Sequence, residues 1–343
     1  MRKKLSVFGI LLISIIVASC GGSSVESKPV AADSEKTVTV GFSQLGAESD
    51  WRSANTKSMQ ETFENAAGYE LLFEDGQQKQ SNQITAIRKF VQQEVDYIVL
   101  APVTEEGWDT VLNEVRDAGI PIIMVDRMVD VEDQSLFYCW VGSDFYLEGR
   151  KVTAWLDEYL RHADFNAEDV YIVDIQGNIG ASAQIGRTKG LYDACEKYGW
   201  NLVDLVSGEF TQAKGREVME YFLNKYENVN VVYCENDNEA LGAIEAIEAA
   251  GRTVGCDIAN GEIMVLSFDG VNEEAVEYCK SGKISCIGEC NPLHGPRVLS
   301  IIETLEMGNV PEKFEYVSEK IYSANDDVKS VIVDGAVYPV DKY

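Results

Sequence analysis

The sequence predicts an α/β protein of two lobes, each a parallel sheet flanked by helices. Short apolar runs rich in β-branched residues alternate with amphipathic stretches at helical spacing, a pattern typical of parallel strands joined by helical crossovers. The alternation restarts near residue 137 with the same architecture. The chain has 343 residues, which is more than one hydrophobic core usually supports, so two lobes are expected.

The first array of predicted strands lies between residues 37 and 127. Helical patterns separate these strands, and Gly68 and Gly119 follow two of the helices, as is common where a helix ends. The strands are predicted at residues 37–44, 69–75, 97–102 and 121–127.

The second array begins at residue 137 and again alternates strands with helical patterns. No repeat of the short period found in solenoid proteins is visible. The strands are predicted at residues 137–143, 169–177, 201–208, 228–236, 262–270 and 283–290, with a last extended stretch at 315–322 and a mixed tail after it.

The N-terminal residues predict export and lipid anchoring. Three basic residues at positions 2–4 precede an apolar run at 5–17, which is short for a membrane-spanning helix. Small residues then precede Cys20, and this arrangement resembles the lipobox of bacterial lipoproteins. The resemblance implies a signal peptide at 1–19 and lipidation of Cys20. An ordinary secretory signal with a chance cysteine is the alternative.

Residues 20–36 hold almost no apolar bulk, so a flexible tether is expected there after the lipidated cysteine. The rest of the chain shows no second apolar run that approaches membrane-spanning length. We therefore expect an exported protein on the periplasmic or cell-surface side, held to the membrane by its lipid.

The charge balance excludes some partners. The chain has 29 Lys and Arg against 57 Asp and Glu, a net charge of −28 at pH 7, and such a surface repels nucleic acid and anionic lipid. A transcription regulator of similar lobe architecture would also need an N-terminal DNA-binding domain and a cytosolic address. The predicted signal and tether are incompatible with both.

The cysteines do not predict a disulfide framework. The chain has eight, and an odd number remains once Cys20 is assigned to the lipid, so the remainder cannot all pair within one chain. Most of them lie in apolar strand or helix patterns, where a thiol behaves as a small hydrophobic group. We expect mostly free, buried thiols, and one disulfide remains possible.

Few residues suggest catalysis or metal binding. The two histidines, His162 and His294, fall in no catalytic motif, and the chain has no HExxH, CxxC, G-x-S-x-G or P-loop. Cys286 and Cys290 would face the same side of a strand. Two cysteines in that arrangement are more often core residues than a pair of metal ligands. No metal and no cofactor are predicted.

Paired carboxylates offer a second enzymatic hypothesis. Asp126 and Asp269 could in principle hydrolyse a glycosidic bond. Arg127 and Arg187 beside them would favour the ionised forms and so disfavour a general acid. The sequence therefore predicts a protein that is not an enzyme.

Polar side chains and a tryptophan gather where the predicted strands end. Ligands of open parallel sheets bind beyond the carboxyl ends of the strands. Carboxylates, amides and guanidinium groups match sugar hydroxyls, and an aromatic face covers the apolar side of a sugar ring. These positions are 46–52, Asp75, Gln77, Asp126, Arg127, Gln176, Asn178, Arg187, 235–237 and Asp269.

Several stretches make the sugar hypothesis specific. They include VGFSQLGAESDWR (40–52), DGQQKQSNQ (75–83), PIIMVDR (121–127) and ENDNEALGAI (235–244). With these motifs the chain resembles the sugar-binding periplasmic binding proteins of ABC importers, of the ribose/galactose type, over about 37–322. The first two motifs point to the galactofuranose-binding group within that family.

The resemblance implies the type I fold of that family, with a three-stranded hinge and a ligand site between the lobes. Asp50 departs from the pattern, because relatives often have glycine there, and this leaves the exact sugar open. The implied ligand contacts are Gly46, Ala47, Glu48, Ser49, Asp50, Trp51, Arg52, Asp126, Arg127, Arg187, Phe210, Asn236 and Asp269.

The resemblance also implies that the chain crosses between lobes three times, near Val141–Ser143, Gly288–Asn291 and Ile321–Ser323. Lobe one is then expected at 37–141 plus 291–321, and lobe two at 143–288 plus 322–343.

The implied function is high-affinity capture of a monosaccharide, galactofuranose or a related sugar, between two closing lobes of a monomer. Bonds from both walls would stabilise the closed form, which would then dock on the permease of an ABC transporter. The alternative is a sensory protein that presents the sugar to a chemoreceptor or sensor kinase.

Overall fold

The computed structural model describes residues 37–343. The predicted signal peptide, the predicted lipidation site at Cys20 and the predicted tether lie outside these residues. Within 37–343, no helix combines the length and the apolar character needed to cross a membrane.

Strands and helices alternate along most of the described chain. The strands are β1 (Val38–Gln44), β2 (Tyr69–Asp75), β3 (Tyr97–Leu100), β4 (Ile122–Val125), β5 (Cys139–Gly142), β6 (Tyr171–Gln176), β7 (Asn201–Ser207), β8 (Val231–Cys234), β9 (Met264–Asp269), β10 (Ile284–Glu289), β11 (Phe314–Tyr316), β12 (Ile321–Tyr322), β13 (Ser330–Val333) and β14 (Ala336–Asp341). The α-helices are α1 (Asp50–Asn65), α2 (Gln80–Gln92), α3 (Asp109–Asp117), α4 (Phe145–His162), α5 (Ser182–Tyr198), α6 (Gln212–Lys225), α7 (Asp237–Ala249), α8 (Glu273–Ser281) and α9 (Gly295–Glu306).

The first lobe is built on a sheet with the strand order β11-β5-β4-β3-β1-β2. Its strand pairs are all parallel. Strands β3 and β4 are buried along their whole length, because helices cover both faces of such a sheet and leave it no polar side. The predicted parallel α/β lobe is confirmed.

The second lobe repeats this plan and adds an edge. Strands β7, β6, β8, β9 and β10 pair in parallel, and β12, β14 and β13 extend the sheet beyond β10. The last two form an antiparallel hairpin where the sequence predicted only a mixed tail. Exposed and buried residues alternate along β13. Such alternation is typical of a strand, but over four residues it is too weak a pattern to predict one from the sequence.

The chain passes between the two sheets three times in the described residues. It leaves the first sheet after β5, returns after β10 and leaves again between β11 and β12. The last passage therefore lies between Tyr316 and Ile321, slightly before the segment expected from the sequence.

Each sheet has a hydrophobic core on both of its faces. In the second lobe, Trp155 stacks on Tyr159 of the same helix at a centroid distance of 5.5 Å. The seven cysteines in residues 37–343 are free, and all except the half-buried Cys256 are fully buried. The expectation of mostly free, buried thiols is confirmed.

Candidate functional site

A cavity lies between the two lobes where the carboxyl ends of the strands face each other. The space between its walls, part of it open to solvent, is about 280 Å³. It is lined by Glu48, Ser49, Trp51, Arg52, Asp126 and Arg127 from the first lobe, and by Phe145, Ala183, Arg187, Phe210, Asn236, Asp269 and Cys290 from the second lobe and a crossing.

Strand ends and helix starts place these side chains. Ser49 caps helix α1, its Oγ accepting a hydrogen bond from the backbone N–H of Arg52 at 3.2 Å. Asn236 caps α7 in the same way, its Oδ1 accepting from the N–H of Glu239 at 2.8 Å. Asp126 and Asp269 come at the ends of β4 and β9. The rule for ligand sites of parallel sheets thus applies to both lobes.

Three lining residues hold a left-handed backbone that side chains other than glycine rarely adopt. The φ angles are 64° at Asp126, 60° at Phe210 and 89° at Asp269. Each such conformation costs about 1–3 kcal/mol and persists only where surrounding bonds enforce it. At Asp126 the indole Nε1 of Trp140 donates to the backbone carbonyl at 3.0 Å, and the backbone N–H of Cys290 donates to the carbonyl of Asp269 at 3.1 Å.

The wall of the first lobe is a buried network of two cations and two carboxylates. Arg52 Nη2 donates to Asp126 Oδ2 at 2.6 Å, and Arg52 Nε and Arg127 Nη2 both lie 3.3 Å from Glu48 Oε1. Glu48 Oε2 and Arg127 Nε are buried without a hydrogen-bond partner. Burial and the neighbouring Arg52 lower the pKa of Arg127 to about 10. The wall therefore keeps hydrogen-bonding groups that no other protein group uses.

The wall of the second lobe is organised by Arg187. Its Nε donates to Glu148 Oε2 at 2.8 Å, and its Nη2 to Asp269 Oδ1 at 3.1 Å. Its Nη1 donates to the backbone carbonyl of Glu235. Burial raises the pKa of the Asp269 carboxyl to about 8, against the opposing effect of Arg187.

Aromatic rings complete the cavity. Trp51 donates from Nε1 to the carbonyl of Cys290 at 2.7 Å, which fixes the indole across a chain crossing. The ring centroid of Phe210, in the second lobe, lies 5.4 Å from the guanidinium carbon of Arg127, in the first lobe. Rings beside charged donors and acceptors suit a ligand with apolar C–H faces and many hydroxyls.

Most of the predicted site residues lie together, and three do not line the cavity. Gly46 packs against Gln78, since a Cβ at Gly46 would lie 2.8 Å from the Gln78 side chain. Ala47 is exposed, and Asp50 lies at the rim. The other predicted contacts are lining residues: Glu48, Ser49, Trp51, Arg52, Asp126, Arg127, Arg187, Phe210, Asn236 and Asp269.

Three lining residues were not predicted from the sequence. Phe145 follows β5 and Cys290 follows β10, so the rule about strand ends applied to both of them. Neither was predicted, because the sequence analysis searched the strand ends for polar groups. Ala183 on α5 carries no signal of its own.

Asp50 connects the two lobes outside the cavity. Its Oδ2 accepts from Asn238 Nδ2 at 3.0 Å and from Asn272 Nδ2 at 2.5 Å. Its backbone N–H donates to Asn238 Oδ1 at 3.2 Å. We call Asp50, Asn238 and Asn272 the rim latch. The lobes are thus closed on each other in this structure.

A buried acidic cluster lies behind the wall of the second lobe. Glu235 accepts from the backbone N–H of Gly177 at 2.7 Å and from Thr188 Oγ1 at 2.5 Å, and burial raises its pKa to about 8. Burial also raises the pKa of Asp174 and of Glu239. Neither carboxylate oxygen of Asp174 has a hydrogen-bond partner. Because burial disfavours the charged forms, these carboxyls hold their protons more tightly than exposed carboxyls do.

The two histidines lie away from the cavity lining. His162 is half exposed beside Glu158. His294 is buried, its Nδ1 lies 2.9 Å from Asn55 Nδ2, and burial lowers its pKa to about 4. A neutral imidazole in this position is a packing group.

Comparisons with known proteins agree with this geometry. Residues 40–292 match the family described as a periplasmic binding protein domain. The chain is 37% identical over 313 residues to the galactofuranose-binding protein YtfQ of Escherichia coli (strain K12), which covers 90% of this chain and 93% of that protein.

Two solved structures share both fold and sequence. A Mycobacterium smegmatis protein in complex with β-D-fucofuranose is 37% identical with a TM-score of 0.78, covering 84% of this chain and 91% of that one. The binding protein of the arabinose ABC transporter from Shewanella sp. ANA-3, bound to α- and β-L-arabinofuranose, is 37% identical with a TM-score of 0.77, covering 84% and 92%.

Proposed function

Because the chain belongs to the periplasmic binding protein domain family, as a two-lobed sugar-binding protein of the ribose/galactofuranose type, we propose that it captures a furanose sugar and delivers it to an ABC transporter permease. The observation that carries the proposal is one closed cavity whose opposite walls both present buried guanidinium and carboxylate groups.

Capture and closing are one event in this mechanism. Asp126 with Arg52 on one wall and Asp269 with Arg187 on the other offer acceptors and donors to adjacent hydroxyls. A sugar bonded to both walls has a higher affinity for the closed form than for the open form, and this difference shifts the lobes toward closure. The closed lobes then present their outer faces to the permease.

The same groups are poorly suited to catalysis. Asp126 is ion-paired with Arg52 and Asp269 with Arg187, so both carboxylates are already engaged in the closed cavity. Neither histidine contributes to the lining. We propose a binding protein without enzymatic activity, which acts as a monomer.

Export and anchoring belong to the same proposal. A transporter subunit of this family works outside the cytoplasm. The lipobox-like segment before Cys20 supports both export and anchoring of this chain. We propose cleavage before Cys20, lipidation of its thiol and attachment to the membrane through residues 20–36.

A binding screen tests the proposed function. The purified protein is expected to melt at a higher temperature with D-galactose, L-arabinose or D-fucose, each of which includes furanose forms in solution, and the rise should grow with sugar concentration. Asp126→Asn removes the negative charge that pairs with Arg52, so we expect at least about tenfold weaker binding, consistent with loss of one charge-assisted bond.

Asp75→Asn is the matched control, because Asp75 ends β2 at the same sheet edge and is exposed. It should bind as the unmodified protein does. No thermal shift with any of these sugars would refute the proposed ligand class, and normal binding by Asp126→Asn would refute the proposed site.

The rim latch is expected to set how long the sugar stays bound. Asp50→Ala removes two hydrogen bonds between the lobes without touching the cavity, so Kd should rise about two- to tenfold through faster dissociation, measured by stopped-flow competition. Asp109→Ala is the control, since Asp109 is also an exposed acid in the first turn of a helix. Equal dissociation rates for the two variants would show that the latch contributes nothing to closure.

A further inference from the structure

One carboxyl group connects all three passages between the lobes. Glu319 lies in the segment between β11 and β12. Its Oε1 accepts from Ser143 Oγ, in the first passage, at 2.6 Å. It also accepts from the backbone N–H of Asn291, in the second passage, at 2.7 Å. A change in the charge of Glu319 therefore acts on every strand of the hinge.

A second carboxyl group faces the first. Glu148, in the first turn of α4, is fully buried. Its Oε2 accepts from Arg187, while its Oε1 is buried without a hydrogen-bond partner. A carboxylate oxygen from each of Glu148 and Glu319 and the Sγ of Cys290 all lie within 4.8 Å of one another. Two ionised carboxylates at this separation and burial would repel strongly.

The charges around Glu148 and Glu319 are balanced when the two carboxyl groups hold one proton between them. Lys151 Nζ donates to the backbone carbonyl of Glu319 at 3.0 Å, and Arg187 is shared between Glu148 and Asp269. Three carboxyls thus meet two cations, and a single added proton makes the group neutral. The charged and titratable groups facing the pair are Lys151 from α4, Arg187 from α5, Tyr233 from β8, Asp269 from β9 and Cys290 after β10.

Electrostatics agree with that count. Burial, followed by the charge of Glu148, raises the pKa of Glu319 to about 9. Burial also raises the pKa of Glu148, although Arg187 opposes the effect. The Cys290 thiol stays neutral because burial raises its pKa as well.

We propose that Glu148 and Glu319 hold one proton between them at the hinge of the closed protein, and that this proton couples sugar affinity to pH. The coupling to affinity rests on the proposed function, whereas the shared proton does not. Glu148 connects the hinge to the cavity through Arg187, which also bonds Asp269.

The sign of the effect follows from the geometry. Opening the lobes admits water to the hinge, which favours ionisation of the pair, so closing takes up a proton. Affinity is therefore highest at low pH and falls as pH rises toward the pKa of the closed form. The weakening reaches at most tenfold in Kd for each pH unit, the limit for one proton.

The shared proton is tested without sugar. Glu319→Gln keeps the acceptor oxygen for Ser143 and Asn291 but cannot ionise. Urea unfolding is measured from pH 5 to pH 8 for both proteins. The unfolding equilibrium constant of the unmodified protein should rise relative to that of the variant, by up to tenfold per pH unit. Glu315→Gln, an exposed change in β11, should leave the pH profile unchanged. Parallel profiles for the unmodified protein and Glu319→Gln would overturn the shared proton.

The coupling is tested by calorimetric titration with L-arabinose over the same pH range. We expect Kd to rise with pH more steeply in the unmodified protein than in Glu319→Gln, where only the pH dependence contributed by other groups such as Asp269 remains. Equal pH dependence in the two proteins would overturn the coupling. Absence of binding in both proteins, with D-galactose and D-fucose as well as L-arabinose, would instead refute the proposed ligand class and leave the urea result standing. A rise in melting temperature with Cd²⁺ that Cys290→Ser abolishes would identify a metal ion, not a proton, as the occupant.

Discussion

Replacing Arg187 with methionine is expected to lower the free energy of unfolding at pH 7.5 by about 3–5 kcal/mol, the usual cost of breaking a buried ion pair from one side, and to abolish sugar binding. Methionine fills much of the same space but leaves Glu148 and Asp269 buried without their cation. Urea denaturation measures the first effect and calorimetric titration the second. The loss of stability should shrink at acid pH, where both carboxyls accept protons.

Arg88→Met is the control for this change. Arg88 pairs with Glu114 on the surface with half of its side chain exposed, and exposed pairs contribute little. The unfolding transition of the Arg88→Met protein should almost match that of the unmodified protein. An Arg187→Met protein that is as stable as the Arg88→Met protein would show that the buried network is not structural.

The folded protein is expected to become less stable as pH rises from 5 to 9, and Asp174→Asn should make that decline shallower. Asp174 is fully buried, has no hydrogen-bond partner and has a raised pKa. A carboxyl with a raised folded pKa contributes most below its unfolded pKa, about 4, and its contribution is lost as pH rises toward the folded value. Each such proton changes the free energy of unfolding by up to about 1.4 kcal/mol per pH unit.

The measurement is a series of urea unfolding curves at fixed pH values. Asp204→Asn is the matched control, because Asp204 lies on β7 of the same sheet but its pKa is lowered by bonds from Lys225 and Tyr226. Asp204 stays ionised throughout the range, so its replacement should leave the slope unchanged. If Asp174→Asn instead follows the unmodified slope, Asp174 is ionised in the folded protein.

The sequence predicts the lobes well because the same pattern of strand and helix occurs many times along the chain. Each strand such as β3 or β4 is a buried apolar run between amphipathic helices, and a parallel sheet is the arrangement that satisfies all of them together. The hairpin formed by β13 and β14 was not predicted, because a few alternating residues at the end of a chain do not distinguish a strand from a loop.

The sheet-edge rule predicts the polar part of the candidate site. Asp126, Arg187 and Asp269 follow strand ends and carry charge, so the sheet-edge rule finds them. Phe145 obeys the same rule but resembles a core residue in sequence. Asp50 was predicted to contact the ligand but lies at the rim. Its position depends on how the two lobes sit relative to each other, and no local sequence pattern encodes that arrangement.

The burial of the acidic cluster could not be predicted. The sequence placed Glu235 among the polar groups at the sheet edge and gave Glu239 no role, and it does not report how many carboxyls share one buried space. Burial and charge count depend on long-range packing, which brings the charges of Glu235 and Glu239 close enough to raise the pKa of Asp174 further.

The thiols have a consequence for how the chain matures. Burial raises the pKa of every cysteine in residues 37–343, and the neutral thiol reacts poorly with oxidants. That protection exists only once the chain has folded. An unfolded chain exposes all of these sulfurs, so in an oxidising compartment the yield of folded protein depends on whether folding is faster than mispairing of the thiols.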